Sequence, residues 1–185
     1  VYAPLAEGQA KAYRRAYANA GVDPKTIELI EAHGTGTKAG DAAEFSGLQT
    51  VFEEANADTG SIALGSVKSQ IGHTKATAGA AGFFKALMAL RAGVLPPTIK
   101  VAQPNPNLSI DTTPLYVNTE ARPWIRGKTH PRRAGVSAFG FGGSNFHILL
   151  EEYTGPNKAA RLRAWGHELL LYSADSAEDM TAAVE

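Results

Sequence analysis

An α/β sheet domain is predicted for this chain by three observations. Short apolar segments at 26–32 and 61–65 read as buried strands, and each is followed by a loop and a helical pattern. A long alanine-rich apolar stretch at 77–92 has helical length. Two strand-like segments, 133–139 and 145–151, flank the glycine turn Gly140-Phe-Gly-Gly143 and predict a hairpin return. Strands alternating with helices and then closing on a strand pair are the signature of the class. Element by element, Ala10, Tyr13, Tyr17 and Ala20 lie at helical spacing within 5–20, and Gly21 ends that helix. The strand TIELIEA delivers His33 at its end. Residues 41–55 place Ala42, Phe45, Leu48 and Phe52 on one helix face. SIALG at 61–65 is a second strand, again leading to a histidine. The helix at 77–92 stops at Gly93 and Pro96-Pro97. The Pro-, Asn- and Thr-rich run up to Pro114 is expected to be extended, before a strand at 115–118. After Glu152 the composition changes. Residues 153–157 read as a turn or linker, and Glu168 to Tyr172 as a new strand whose helix is cut short.

Composition narrows the function. The chain has 185 residues, enough for one domain with an appendage, and 44% of them are hydrophobic. Its 18 basic and 18 acidic residues cancel, which leaves no basic footprint for nucleic acid or a membrane surface. Lys85 and Arg91 interrupt the longest apolar run, so it reads as a core helix and not as a membrane span. The lack of cysteine excludes a disulfide scaffold and a thiolate metal site, and fits a cytoplasmic protein. The start at Val1 and an end inside a helical pattern both look cut.

Chemistry is concentrated in two phrases, Glu31-Ala-His-Gly-Thr-Gly-Thr37 and Lys68-Ser-Gln-Ile-Gly-His73. Two imidazoles on tight turns are able to aim N–H donors at one small oxyanion. A lone histidine of this kind would be an ordinary strand-end residue; a second one, also glycine-flanked and after a strand, reverses that reading. Glycines allow a sharp turn beside His33, and Thr35 and Thr37 supply hydroxyls. Asp41 and Glu44 open the next helix, where carboxylates suit the dipole whether or not they have a further role. Lys68 either pairs with Glu44 and fixes the second imidazole or stays solvated. The glycines match neither the dinucleotide nor the Walker spacing, and the histidines lack metal-site partners, so no metal is expected. Gly140-Phe-Gly-Gly-Ser-Asn145 is either a plain hairpin turn or a turn whose exposed N–H groups form an oxyanion pocket.

EAHGTGTKAGDAAE (31–44), GSVKSQIGHTKATAGAAG (65–82) and RRAGVSAFGFGGSNFHILLEE (132–152) resemble, in order, the C-terminal motifs of β-ketoacyl synthases. The wording is most similar to ketosynthase domains of polyunsaturated-fatty-acid and polyketide synthases. The resemblance implies the C-terminal half of a thiolase-like fold, layered αβαβα, over residues 1–152. Residues 153–185 resemble the start of the linker toward an acyltransferase domain, a truncated α/β element.

It also implies a decarboxylative condensation. His33 and His73 would hydrogen-bond the malonyl thioester oxygen, and Lys68 with Glu44 would orient the His73 loop, supported by Asp41. Thr35 and Thr37 would hold the phosphopantetheine arm of acyl carrier protein, so no cofactor is bound directly. The Phe141 N–H would form half of an oxyanion hole, and Phe139 and Phe141 would keep the site dry. The nucleophilic cysteine belongs to the missing N-terminal half, so the segment alone is expected to be inactive and to expose apolar surface along 77–92. Implied partners are acyl carrier protein, that N-terminal half, a downstream acyltransferase and, when complete, a second copy in a homodimer. The alternative is a non-catalytic relative serving chain-length control, dimerisation or folding. A thiolase is disfavoured because thiolases keep a late cysteine.

Overall fold

The chain is described by a computed structural model covering residues 3–156 and 172–184. Helix α1 (Ala6–Ala20) ends at Gly21, whose left-handed backbone sends its N–H back to the Ala18 and Tyr17 carbonyls. Strand β1 (Leu29–Glu31) is shorter than the apolar run TIELIEA, because Pro24–Thr26 form a 3-10 turn capped by Asp23. Helix α2 (Lys38–Glu54) starts three residues earlier than its apolar spacing indicates. Thr37 caps it by accepting the Gly40 N–H at 3.2 Å. Strand β2 (Ile62–Gly65) is followed by one helical turn, α3 (Lys68–Ile71), and then by α4 (Ala78–Ala92).

Leu115–Val117 (β4), Arg133–Gly140 (β6) and Ser144–Glu151 (β7) complete a five-stranded sheet of order β4-β2-β1-β6-β7. The first four strands are parallel, and β7 returns antiparallel to β6 through the expected hairpin. A two-residue pairing of β3 (Val94–Leu95) with β5 (Arg122–Pro123) has no counterpart in the hydrophobic pattern; segments this short carry no periodicity.

Side chains alternate across the sheet, and each face has its own core. Ile30, Ile62 and Leu115 pack with Tyr13, Tyr17, Leu48 and Phe52 of α1 and α2. Leu29, Ala63, Ala134 and Val136 pack with Ala86, Ala89 and Leu90 of α4. The result is a helix–sheet–helix sandwich. The outer face of α4 is uncovered: Phe84 is 64% exposed, and Phe83, Leu87 and Met88 lie beside it in solvent. Among the described residues no helix is long and apolar enough to cross a membrane.

The strand read from Glu168 to Tyr172 falls almost wholly outside the described residues. Beyond it, α5 (Ala177–Val184) is a helix whose Asp179 N–H is accepted by Ser176 Oγ at 3.1 Å.

Candidate functional site

In a parallel sheet, loops at the carboxyl ends of neighbouring strands meet over one edge. Here β1 leads to His33, β2 to Lys68 and His73, and β6 to Phe139. Glu31, Gly65 and Val136 stand side by side in register just before those loops. The His33 and His73 rings are 5.5 Å apart between centroids and perpendicular, at 89°. Phe139 packs against His33 at 5.6 Å. Close approach of the two turns depends on Gly34: its φ is +47°, and a Cβ there would lie 2.8 Å from Ser66 Cβ.

Each histidine turn is anchored by a buried carboxylate. Glu44 of α2 accepts the backbone N–H of His33 at 2.8 Å and of Gly34 at 2.9 Å. Asp41 accepts the Gly36 N–H at 3.1 Å. Both therefore tie the His33 turn by hydrogen bonds, while Glu44 also reaches Lys68 as a longer-range charge. The reason is geometric: the first turns of α2 lie beneath residues 33–37. The His73 loop hangs from Glu31, which accepts the Val67 N–H where α3 begins. Glu31 is 2% exposed and its other oxygen is 2.9 Å from Lys85 Nζ on α4.

Lys68 makes no ion pair with Glu44 among the described residues. It is half-buried and feels Glu31 and Glu44 only as attractive charges, while desolvation holds its ammonium pKa below the usual lysine range. Burial lowers His33 to about 4, helped by the nearby Lys68 and His73. This imidazole is neutral at physiological pH, and its Nδ1 is buried without a hydrogen-bond partner among the described residues. His73 Nδ1 accepts the Lys75 N–H at 3.1 Å, which leaves Nε2 as the ring nitrogen that carries a donor proton. Desolvation pushes Glu44 up to about 7 against the pull of its two amides.

The remaining sequence-predicted residues divide. The Thr35 and Thr37 hydroxyls are exposed and 3.0 Å apart, with Thr37 also occupied as the α2 cap. Phe139 reaches His33, but Phe141 is 90% exposed and its ring shields little in this chain. The turn swings it outward through Gly142 and Gly143, both at positive φ.

Sequence reasoning missed two groups. One is the Glu31–Lys85 pair, signalled only by charges standing inside an apolar strand and an apolar helix. The other lies behind Phe139: His147 joins Tyr17 Oη at 3.0 Å and Ser137 Oγ at 3.1 Å. Desolvation drops His147 to about 3, so it too is neutral.

Residues 1–102 match the profile of the β-ketoacyl synthase C-terminal domain. The chain belongs to that family. Residues 104–185 match the ketoacyl-synthetase C-terminal extension, so this ketosynthase segment is matched nearly end to end. It is 44% identical to one polyunsaturated fatty acid synthase polypeptide of Thraustochytrium sp., over 98% of its own length and 7% of that protein. Polyketide synthase PksL of Bacillus subtilis is also 44% identical, over 88% of this chain and 4% of PksL. The ketosynthase from module 6 of the bacillaene synthase from Bacillus subtilis 168 superposes with a TM-score of 0.80 at 46% identity. That match covers 83% of this chain and 28% of the bacillaene ketosynthase. The segment thus spans under a tenth of these curated relatives and little more than a quarter of that structure. The α/β sandwich is part of a thiolase-like fold, as the motifs implied.

Proposed function

We propose that this chain is the C-terminal half of a β-ketoacyl synthase that lengthens acyl chains in polyunsaturated fatty acid or polyketide synthesis. In this reading residues 1–152 are the ketosynthase part and 153–185 lead toward an acyltransferase. Support for the division comes from the single sheet that takes strands from Leu29 to Glu151. A cysteine on a segment outside this chain carries the acyl group as a thioester. Malonyl thioester, brought by the phosphopantetheine arm of acyl carrier protein, loses its carboxylate as carbon dioxide. The electron pair of the broken bond passes to the malonyl C2 and its thioester carbonyl as an enolate. C2 then attacks the acyl thioester carbonyl, a carbon–carbon bond forms, and the cysteine sulfur departs as thiolate and regains a proton.

His33 and His73 serve the enolate oxygen. The observation that carries this role is their perpendicular convergence at 5.5 Å on one strand edge. Both are suited as hydrogen-bond donors, His73 through Nε2–H, and preorganised donors of this kind typically supply about 3–4 kcal/mol each. Thr35 and Thr37, open to solvent, receive the phosphopantetheine arm. Phe139 shields His33. Phe141 closes over the site and lends its N–H to the tetrahedral intermediate only once the cysteine-bearing half is present. That half covers the apolar face of α4. The assembled enzyme works as a cytoplasmic homodimer, and the segment alone is inactive.

The test joins this chain to its cysteine-bearing segment and measures malonyl decarboxylation and condensation. His33→Ala and His73→Ala should each lower the decarboxylation rate by roughly a hundred- to a thousandfold. Parental condensation rates in both would overturn the reading and favour a non-catalytic module.

A further inference from the structure

The two histidine turns are not held alike. The His33 turn follows β1 directly and is tied by Glu44 at two successive amides. The His73 turn is carried on α3, a helix of four residues. One turn of helix does not hold itself, since nucleation costs more than its single layer of hydrogen bonds returns. Its place must come from outside contacts. Some come from the crossing segment: Ser69 Oγ receives Thr98 Oγ1 at 3.0 Å and the Ile99 N–H at 3.1 Å, and Gln70 Nε2 reaches the Pro97 carbonyl at 3.0 Å. At its start, the anchor from the sheet core is Glu31, through the Val67 N–H.

Glu31 is itself immobilised. Its strand neighbours are buried, its second oxygen is fixed by Lys85, and Gly82 of α4 leaves it room. A Cβ on Gly82 would stand 3.0 Å from Glu31 Cγ. Lys85 is likewise enclosed, 10% exposed at its side chain. A buried ion pair is a poor device for stability, because desolvating two charges offsets most of their attraction. Here the pair fixes a carboxylate oxygen at the point where the His73-bearing turn departs. Lys68, on that same turn, also faces the combined field of Glu31 and Glu44.

We propose that Glu31 and Lys85 are positioning residues for His73, holding its turn at the separation from His33 that the condensation requires. The proposal rests on the reading of His33 and His73 as donors. The pair acts through the Val67 N–H and not through its net charge.

Two double variants in the complete ketosynthase separate these roles. Glu31→Leu with Lys85→Met replaces the pair by apolar groups of similar size, an exchange that buried ion pairs often tolerate without loss of folding. It leaves the Val67 amide without its acceptor. Glu31→Gln with Lys85→Met also removes both charges but keeps an acceptor oxygen. The Leu/Met variant is expected to lower kcat for malonyl decarboxylation about a hundredfold, the scale of an ångström-sized misplacement, with KM for the malonyl carrier thioester unchanged. The Gln/Met variant should recover most of that loss. Rates are taken per folded enzyme, from thermal unfolding of each preparation, with His73→Ala as reference. If His73→Ala is slow while Leu/Met keeps the parental kcat, or if Gln/Met is as slow as Leu/Met, the positioning role is overturned. If His73→Ala is itself fast, it is the donor reading that fails.

Discussion

One carboxyl group, that of Glu44, spans two consecutive backbone amides, taking the His33 N–H at 2.8 Å and the Gly34 N–H at 2.9 Å. Replacing it by alanine takes the acceptor from two half-buried donors. Each unsatisfied donor costs about 1–3 kcal/mol, so Glu44→Ala should lower unfolding free energy by roughly 2–6 kcal/mol. Urea unfolding measures this directly, and a loss within experimental error would show that the turn holds without its carboxylate.

Glu44 also makes stability depend on pH in a defined direction. Its folded pKa is raised to about 7, so the folded protein keeps this proton where the unfolded chain has lost it. The contribution is present below the ordinary carboxylate range and is lost as pH rises through about 7. Glu44→Gln, which has no proton to lose, should therefore gain on the parent between pH 5 and 7. Unfolding curves that stay equally spaced across that interval would contradict it.

His147 titrates in the opposite sense. Its folded pKa is lowered to about 3, so below about 6.5 the unfolded chain takes up a proton that the folded chain refuses. Its contribution is full above that value and is lost as pH falls toward 3. The stability gap between the parent and His147→Gln should narrow by about 1.4 kcal/mol per pH unit between pH 6 and 4. A constant gap would mean that His147 is charged in the folded protein.

Two glycines hold open space that side chains would fill. A Cβ at Gly34 would meet Ser66 at 2.8 Å on a backbone already at φ +47°. A Cβ at Gly135 would stand 2.6 Å from His147 Nε2 and 2.8 Å from Ile30 Cδ1. Gly135→Ala should cost about 1–3 kcal/mol by overpacking. Gly34→Ala should also cost stability and, by parting the two turns, lower decarboxylation far more than Gly135→Ala does. Equal activity in the two variants would detach the His33–His73 separation from catalysis.

The exposed face of α4 should make the isolated chain self-associate. Phe84 and Leu87 are 64% and 44% exposed, so their replacement removes little from the chain's own core. Phe84→Asp with Leu87→Asn is expected to reduce light scattering at high concentration and leave the unfolding midpoint within a few degrees. In the complete ketosynthase the same pair of changes should impair assembly.

Period and punctuation made much of this fold readable. Gly21 and Gly93 end their helices where expected, and the glycine turn closes β6 onto β7. Element ends were less legible. Asp23 and Pro24 turn the chain before β1, and Thr37 starts α2 early, because caps and turns are set by single hydrogen bonds that hydrophobic spacing does not record.

The histidine motifs named the two rings that the fold brings within 5.5 Å, since imidazoles beside glycines after strands are a local feature. Their anchoring partners were less legible. The motifs left Lys68 either paired with Glu44 or solvated; in the fold Glu44 accepts the His33 and Gly34 amides, Glu31 accepts the Val67 N–H, and Lys85 pairs with Glu31. These bonds join residues separated by up to 54 positions, across the sheet and onto a helix on its far face. A pattern along the chain can name a charge and the element that bears it. Which carboxylate meets which turn depends on strand order and on the face a side chain takes, and both arise only when the sheet closes between its helices.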